Sequence, residues 1–267
     1  MHAQPNSRLT SEGRHSMLDK FFDRLRYLVG TSLSRSYAVK TDDGRSRPIF
    51  HRGTRADRGV VKQIFLRKDY SLKKMQRRND LLAAYNAIIA ANKTPLIIDA
   101  GANIGASVVW FANDFPQSHI VAIEPDADNV KLLRQNAEGL DVEILEAALG
   151  STDGRVSLVD AGHGEWGYQT KDDATGTCLR VAASRIIKEK IAQGYAPFLF
   201  KIDIEGGEDN LFEAHTEWVD LFPLIIIELH DWLLPRGGTS FNFIHRMGQS
   251  RRDFVYRGEN IFSIRND

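Results

Sequence analysis

The chain has 267 residues, 42% hydrophobic and 26% charged, ordinary globular figures that exclude wholesale disorder and fibrous classes. Its 35 basic and 35 acidic residues cancel, yet residues 1–80 hold 19 basic and 8 acidic side chains, a net of +11, and residues 81–267 the complementary −11. One cysteine, Cys178, excludes an internal disulfide framework and a cysteine-based zinc site, and no uncharged run approaches the ~20 residues of a membrane span.

A lone cysteine fits a reducing compartment, and residues 1–10 lack the apolar stretch of a secretory signal, so a cytoplasmic protein is expected. Residues 1–15 are polar and read as a disordered tail. From 16 to 29, Leu18, Phe21, Phe22, Leu25 and Leu28 recur at helical spacing and predict an amphipathic helix. Its apolar stripe would cap the main domain, form a homodimer contact or touch a membrane. Residues 37–53 read as short extended pieces around the turn Asp42-Asp43-Gly44. Val60, Val61, Ile64 and Phe65 suggest another helical face, and a longer helix runs from about 73 to 91, stopped by Pro95. Residues 16–94 are thus a basic, mainly helical N-terminal extension. Its positive charge either meets an anionic substrate or rests on the acidic remainder of the chain. No stacking aromatics interleave with these charges, so no nucleic-acid partner is expected.

The texture changes at 95. Short apolar runs at 96–99, 119–124, 142–147, 198–203 and 224–230 read as buried strands. Helical stretches at 107–115, 128–138 and 182–193 separate them, with a polar hairpin at Asp153-Gly154 and a Gly-rich loop over 161–167. Residues 253–264 read as a hairpin turning at Gly258-Glu259-Asn260. Residues 95–267 therefore form a mainly parallel α/β sheet covered on both faces.

The chemistry concentrates at strand ends. Asp99-Ala100-Gly101-Ala102-Asn103-Ile104-Gly105 turns the first strand into a helix, where ligands of open α/β sheets bind. A dinucleotide fingerprint needs G-x-G-x-x-G to seat a pyrophosphate, whereas this loop reads G-x-N-x-G behind an acid that repels phosphate. Such an acid suits a ligand bearing an ammonium group, such as the methionine moiety of S-adenosyl-L-methionine. Glu124 ends the next strand, placed to accept bonds from both ribose hydroxyls, and Pro125 fixes the turn behind it. Small residues from Ala147 to Ala148 leave room for a flat adenine ring. Lys201-Ile202-Asp203-Ile204-Glu205-Gly206-Gly207-Glu208 ends a fourth strand in another acid. Acids at three neighbouring strand ends raise one another's pKa, which a cationic ligand or a metal would relieve.

These three segments resemble the FkbM-like family of S-adenosylmethionine-dependent methyltransferases over roughly residues 96–231, with an echo in Gly53-Thr54-Arg55-Ala56-Asp57 and Asp69-Tyr70. The resemblance implies a class I, Rossmann-like, seven-strand mostly parallel sheet with a C-terminal antiparallel hairpin. It implies S-adenosyl-L-methionine as cofactor and O-methylation of a hydroxyl on a small molecule or glycan, a sugar or secondary metabolite. It makes Asp99, Gly101, Asn103, Ile104 and Gly105 cofactor-loop positions, Glu124 the ribose ligand, and Asp203 the acid beside the reactive methyl.

A base for the acceptor hydroxyl is sought among Asp203, Glu205 and His230. Asp203 leads by location. Glu205 has an alternative as a cap on the following helix, and Asp231 would orient His230. A divalent ion on Asp203, Glu228 and His230 is the alternative to a metal-free site, without tight ligand spacing in its favour. His163, Trp166 and Tyr168 suggest an aromatic lid for a sugar ring. Two rivals remain: a nicotinamide-dependent oxidoreductase, disfavoured by Asn103 and Ala106, and a non-catalytic Rossmann-like binding protein. Arg52, Arg55 and Arg58 are the expected contacts of an anionic acceptor, phosphorylated or nucleotide-linked.

Overall fold

The computed structural model describes residues 36–40, 46–160 and 168–266. The tail, the helix at 16–29, the turn at 42–44, and the loop with His163 and Trp166 lie outside them. β1 (Ser36–Lys40) and β2 (Ser46–Phe50) form an antiparallel hairpin with Val39 and Ile49 buried beneath it. α1 (Arg55–Val61) begins at Thr54, whose hydroxyl oxygen accepts the Asp57 N–H, and continues into a π-helical turn at Lys62–Arg67. α2 is shorter than its sequence pattern, Arg78–Ala90, because residues before it close i→i+3 turns such as Met75 N–H to Leu72 O.

Then come β3 (Thr94–Ala100), α3 (Ala106–Asp114), β4 (His119–Glu124), α4 (Ala127–Asn136), β5 (Val142–Glu146), β6 (Ala148–Gly150), β7 (Gly154–Asp160), β8 (Tyr168–Asp172) and β9 (Cys178–Ala182). The remainder is α5 (Ala183–Ala192), β10 (Tyr195–Ile202), α6 (Glu208–Leu211), a 3-10 turn (Glu217–Leu221), β11 (Leu224–Glu228), α7 (Phe241–Met247), β12 (Arg252–Arg257) and β13 (Asn260–Arg265). Seven strands form one sheet in the order β12-β13-β11-β10-β3-β4-β5. β11, β10, β3, β4 and β5 run parallel, while β13 is antiparallel to both β11 and β12.

Alternation along each strand builds two cores. Ile97, Ile120, Phe198 and Ile226 pack with Trp110, Phe111 and Tyr85 on one face. Ile98, Val121, Phe200 and Ile227 pack with Ile186, Trp218, Phe222 and Phe243 on the other. Burial on both faces explains why these strands are continuous apolar runs. The chain leaves β3 toward β5 at one side and returns to β10 on the other. A crevice therefore opens beyond the carboxyl ends of β3 and β10, where the winding reverses.

Two parts were not foreseen. A separate sheet, ordered β6-β9-β7-β8, occupies what reads in sequence as a lone hairpin followed by loop. Residues 168–182 carry Thr, Asp, Lys and Arg with no apolar run, so periodicity was silent there. α7 likewise lacked a capping signal, and its N-cap Ser240 makes no side-chain cap bond. Among the described residues no helix is long and apolar enough to cross a membrane.

Candidate functional site

The crevice floor is built around a buried lysine. Lys201 lies on β10 opposite Asp99 of β3 and is 2% exposed. Its ammonium donates to the carbonyls of Ala100 (3.1 Å) and Gly101 (2.6 Å), and stands 3.2 Å from Asp99 Oδ1 and 3.6 Å from Asp203 Oδ2. Burial opposes its charge, but Asp99 foremost among its neighbours overrules this and raises its pKa above the ordinary lysine value. Asp99 itself is wholly buried, so its expected contact with a ligand ammonium is replaced by one with the Lys201 ammonium. Only a glycine fits at 101: its φ is +75°, and an added Cβ would sit 1.7 Å from the Asp203 carbonyl oxygen. That approach welds the first loop to the end of β10.

Beyond β10 and β11 lies a carboxylate–histidine cluster. His230 Nδ1 meets Glu208 Oε1 at 2.8 Å, both side chains being buried. Glu208, not Asp231, therefore orients the ring. Its Nε2 faces Glu205 Oε2 at 3.5 Å, Asp203 Oδ1 at 3.6 Å and Glu228 Oε1 at 3.8 Å. Glu205 thus turns toward the cluster. The helix-cap alternative is not realised, since Gly207 occupies the N-cap of α6 without a side-chain bond. Burial, then Asp203, pushes the carboxyl pKa of Glu205 and of Glu228 upward. Burial alone would depress His230, but the hydrogen bond and charge of Glu208 lift it to about 10. The cluster holds more negative than positive charge: Lys201 and His230 face Asp99, Asp203, Glu205, Glu208 and Glu228.

On the other side of the loop, Glu124 is held by three donors. Oε2 accepts the Asn103 N–H (2.8 Å), and Oε1 accepts the Asp126 N–H (3.0 Å) and Asn129 Nδ2 (3.2 Å). Burial, the largest effect, raises its pKa against these bonds. With Oε1 filled, one acceptor position remains on Oε2, fewer than the pair expected for two ribose hydroxyls. Asn103 adopts φ +49° while its Oδ1 accepts the Ile104 N–H. Ile104 is fully buried, so only its backbone belongs to the loop surface. Gly105 starts α3, Pro125 follows β4, and the Ala147 N–H donates to the Glu124 carbonyl at 3.2 Å.

A cleft of about 750 Å³ joins the Lys201 floor to the carboxylate–histidine cluster, while Asp99, Glu124, Pro125 and Ala147 do not line it. Gly101, Asn103, Lys201, Asp203, Glu205 and His230 line one side, and Arg55, Arg58, Lys62, Arg67 and Tyr70 of the N-terminal segment line another. Arg52 does not belong to this wall. Its guanidinium pairs with buried Asp57 (2.7 Å) and donates to Asn129 Oδ1 (2.8 Å), so it braces the residue that braces Glu124. Trp232 lines the cleft and stays 64% exposed. Lys201, Glu208, Tyr70 and Trp232 were not picked out as site residues in sequence. A lysine inside Phe198-Leu199-Phe200-Lys201-Ile202 was the available signal, since a buried ammonium must be paired.

A seven-strand sheet in this order, with an acid-flanked glycine loop at its switch point, defines a class I methyltransferase fold. Residues 99–257 match the sequence model of the FkbM methyltransferase domain. The chain belongs to that family. Similar solved structures include an O-methyltransferase from Bacillus cereus in complex with SAH, 13% identical, covering 78% of this chain and 91% of that one at TM-score 0.41. An SAH-bound methyltransferase from Podospora anserina is 10% identical, covering 99% and 100% at TM-score 0.41. Precorrin-6y C5,15-methyltransferase from Geobacter metallireducens is 13% identical, covering 73% and 92% at TM-score 0.35. At these levels no residue role passes from them to this chain. No curated protein matches it.

Proposed function

We propose that the protein transfers the methyl group of S-adenosyl-L-methionine to a hydroxyl of a small-molecule or glycan acceptor. One observation carries this reading: the cleft at the β3/β10 switch point joins an acid-rich floor to a cationic wall with an exposed tryptophan. The donor set suits that cofactor. Asp203 is partly exposed, lines the cleft and complements a sulfonium, and the open Oε2 position of Glu124 suits a ribose hydroxyl. The cofactor supplies an electrophilic methyl, and the chain's own residues do the rest. Alignment of an acceptor oxygen against that carbon can supply about 7–11 kcal/mol of the barrier. Asp203, with Glu205 beside it, takes the hydroxyl proton, and His230 presents Nε2 to the same point from its anchor on Glu208.

The acceptor side is read from the wall. Arg55, Arg58, Lys62 and Arg67 favour an anionic acceptor such as a phosphorylated or nucleotide-linked sugar, and Trp232 offers a face for a ring to stack on. Calorimetry with S-adenosyl-L-methionine is expected to show one site per chain, and a labelled-methyl assay over sugars, nucleotide sugars and metabolites to yield a methyl ether. Asp203→Asn should lower kcat by about 10²–10⁴-fold and also weaken donor binding, since the carboxylate faces the sulfonium. A protein that binds a nicotinamide dinucleotide in preference, or neither ligand, overturns the reading.

A further inference from the structure

The cluster at the ends of β10 and β11 has a second property that a methyl donor does not explain. Asp203, Glu228 and His230 each place one ligand atom within 4.8 Å of the others. We propose that they form a divalent-cation site, in which the ion also receives the acceptor hydroxyl.

Two buried side-chain ends point to an occupant. Glu228 is nine-tenths buried and makes no hydrogen bond to the described residues, its ion-pair contact being His230 Nε2 at 3.8 Å. His230 is 2% exposed, and its Nε2 sits 3.5 to 3.8 Å from three carboxylate oxygens, at or beyond the limit of hydrogen bonding to each. Ligand atoms about 2.1 Å from one ion stand about 3.0–3.4 Å apart, so seating a cation draws His230 Nε2 in from 3.6 and 3.8 Å and the Asp203 and Glu228 oxygens in from a separation of at most 4.8 Å. The ring is prepared for this role. Glu208 holds Nδ1 from a fully buried position, the carboxylate–histidine arrangement that directs the other nitrogen at a metal. An ion there replaces any proton on Nε2. An imidazole with two carboxylates favours a first-row ion such as Mn²⁺, Fe²⁺ or Zn²⁺ over Mg²⁺ or Ca²⁺, which prefer oxygen throughout.

The catalytic use of the site rests on the methyltransferase reading, whereas ion binding does not. A hydroxyl on the ion is more acidic. With Asp203 on the ion, the hydroxyl proton would pass to Glu205 instead of Asp203, an oxygen lone pair would form the bond to the methyl carbon, and the C–S bonding pair would stay on sulfur, turning the donor sulfonium into a neutral thioether.

The test uses the full chain, stripped with a chelator and titrated with Mn²⁺ alone under electron paramagnetic resonance. One Mn²⁺ per chain is expected, with ¹⁴N modulation from one imidazole in the pulsed spectrum. Glu228→Gln and His230→Gln should each weaken binding by about 100-fold or more, His230→Gln should erase the nitrogen signal, and Glu208→Gln should weaken binding by about 10-fold. Absence of saturable binding below millimolar Mn²⁺, binding that survives both ligand substitutions, or a spectrum without ¹⁴N modulation overturns the proposal. Should either variant fail to fold, the nitrogen signal of the unsubstituted protein decides alone. Calorimetry with the methyl donor separates the two readings. Donor binding without Mn²⁺ binding removes the ion site alone, and Mn²⁺ binding without donor binding supports the ion site while removing the methyltransferase reading.

Discussion

Gly101 is where the geometry tolerates least. A methyl group added there meets the Asp203 carbonyl and must also adopt φ +75°. Gly101→Ala should therefore cost more than about 1 kcal/mol in urea unfolding and weaken donor binding, because the loop can relieve the collision only by leaving β10. A second residue carries a pH signature. His51 is 3% exposed and its Nδ1 accepts the Gly53 N–H at 3.0 Å, so burial lowers its pKa below the ordinary 6.5 despite the opposite pull of Asp57. The folded state favours the neutral ring. Its stabilising contribution is present above pH 6.5 and is lost as pH falls toward the lowered folded value. The drop in urea midpoint from pH 7 to pH 5 should accordingly be larger in the unsubstituted protein than in His51→Asn, whose amide oxygen can keep the Gly53 bond. Asp99 shows the limit of reading single residues. The sequence marks it as an acid at a strand end, but its partner lies 102 positions away on β10, and only strand pairing reveals that the partner is Lys201.

At the scale of elements, the N-terminal hairpin proves to be a clamp on the glycine-loop side of the sheet. Asn136 at the end of α4 accepts the Phe50 N–H at 2.7 Å and donates to the carbonyls of Phe50 (3.0 Å) and Ile104 (2.7 Å). One side chain thus ties β2, α4 and the glycine loop together. Asn136→Ala leaves buried backbone groups unpaired and should destabilise by about 1–3 kcal/mol in thermal or urea unfolding, with a rise in the donor dissociation constant. The parallel strands were legible because two-sided burial writes continuous apolar runs such as Leu224-Ile225-Ile226-Ile227. The β6-β9-β7-β8 sheet was not, because Leu179 is 51% exposed and Arg155 and Arg180 stand on its strands, so no run or alternation marks it. Ion pairs across the sequence, such as Arg77 with Asp253 of β12, were equally invisible.

Across the whole molecule, the charge asymmetry resolves into two uses. Part of the N-terminal excess serves packing against the rest of the chain: Arg47 donates to the Glu138 carbonyl, Arg52 donates to Asn129, and Arg77 pairs with Asp253 of β12. Arg55, Arg58 and Lys62 line the cleft, as does Arg67, which also pairs with Asp69 at 2.8 Å. Loss of charge at Arg55 and Arg58 (both to Gln) should raise KM for an anionic acceptor by about tenfold or more, with kcat little changed and with weaker salt dependence. An unchanged KM in a labelled-methyl assay would remove the electrostatic account of acceptor choice. The sequence by itself determined the α/β class, the strand ends that carry acids, and the family, since each is written locally in apolar runs, turn glycines and the residues beside them. The tertiary structure alone decided which of those acids reach solvent, which cation neutralises which carboxylate, and that His230 is oriented by Glu208 rather than by its neighbour Asp231. Those pairings are made between strands and loops far apart in sequence, and electrostatic energy depends on distance through space, which no local pattern records.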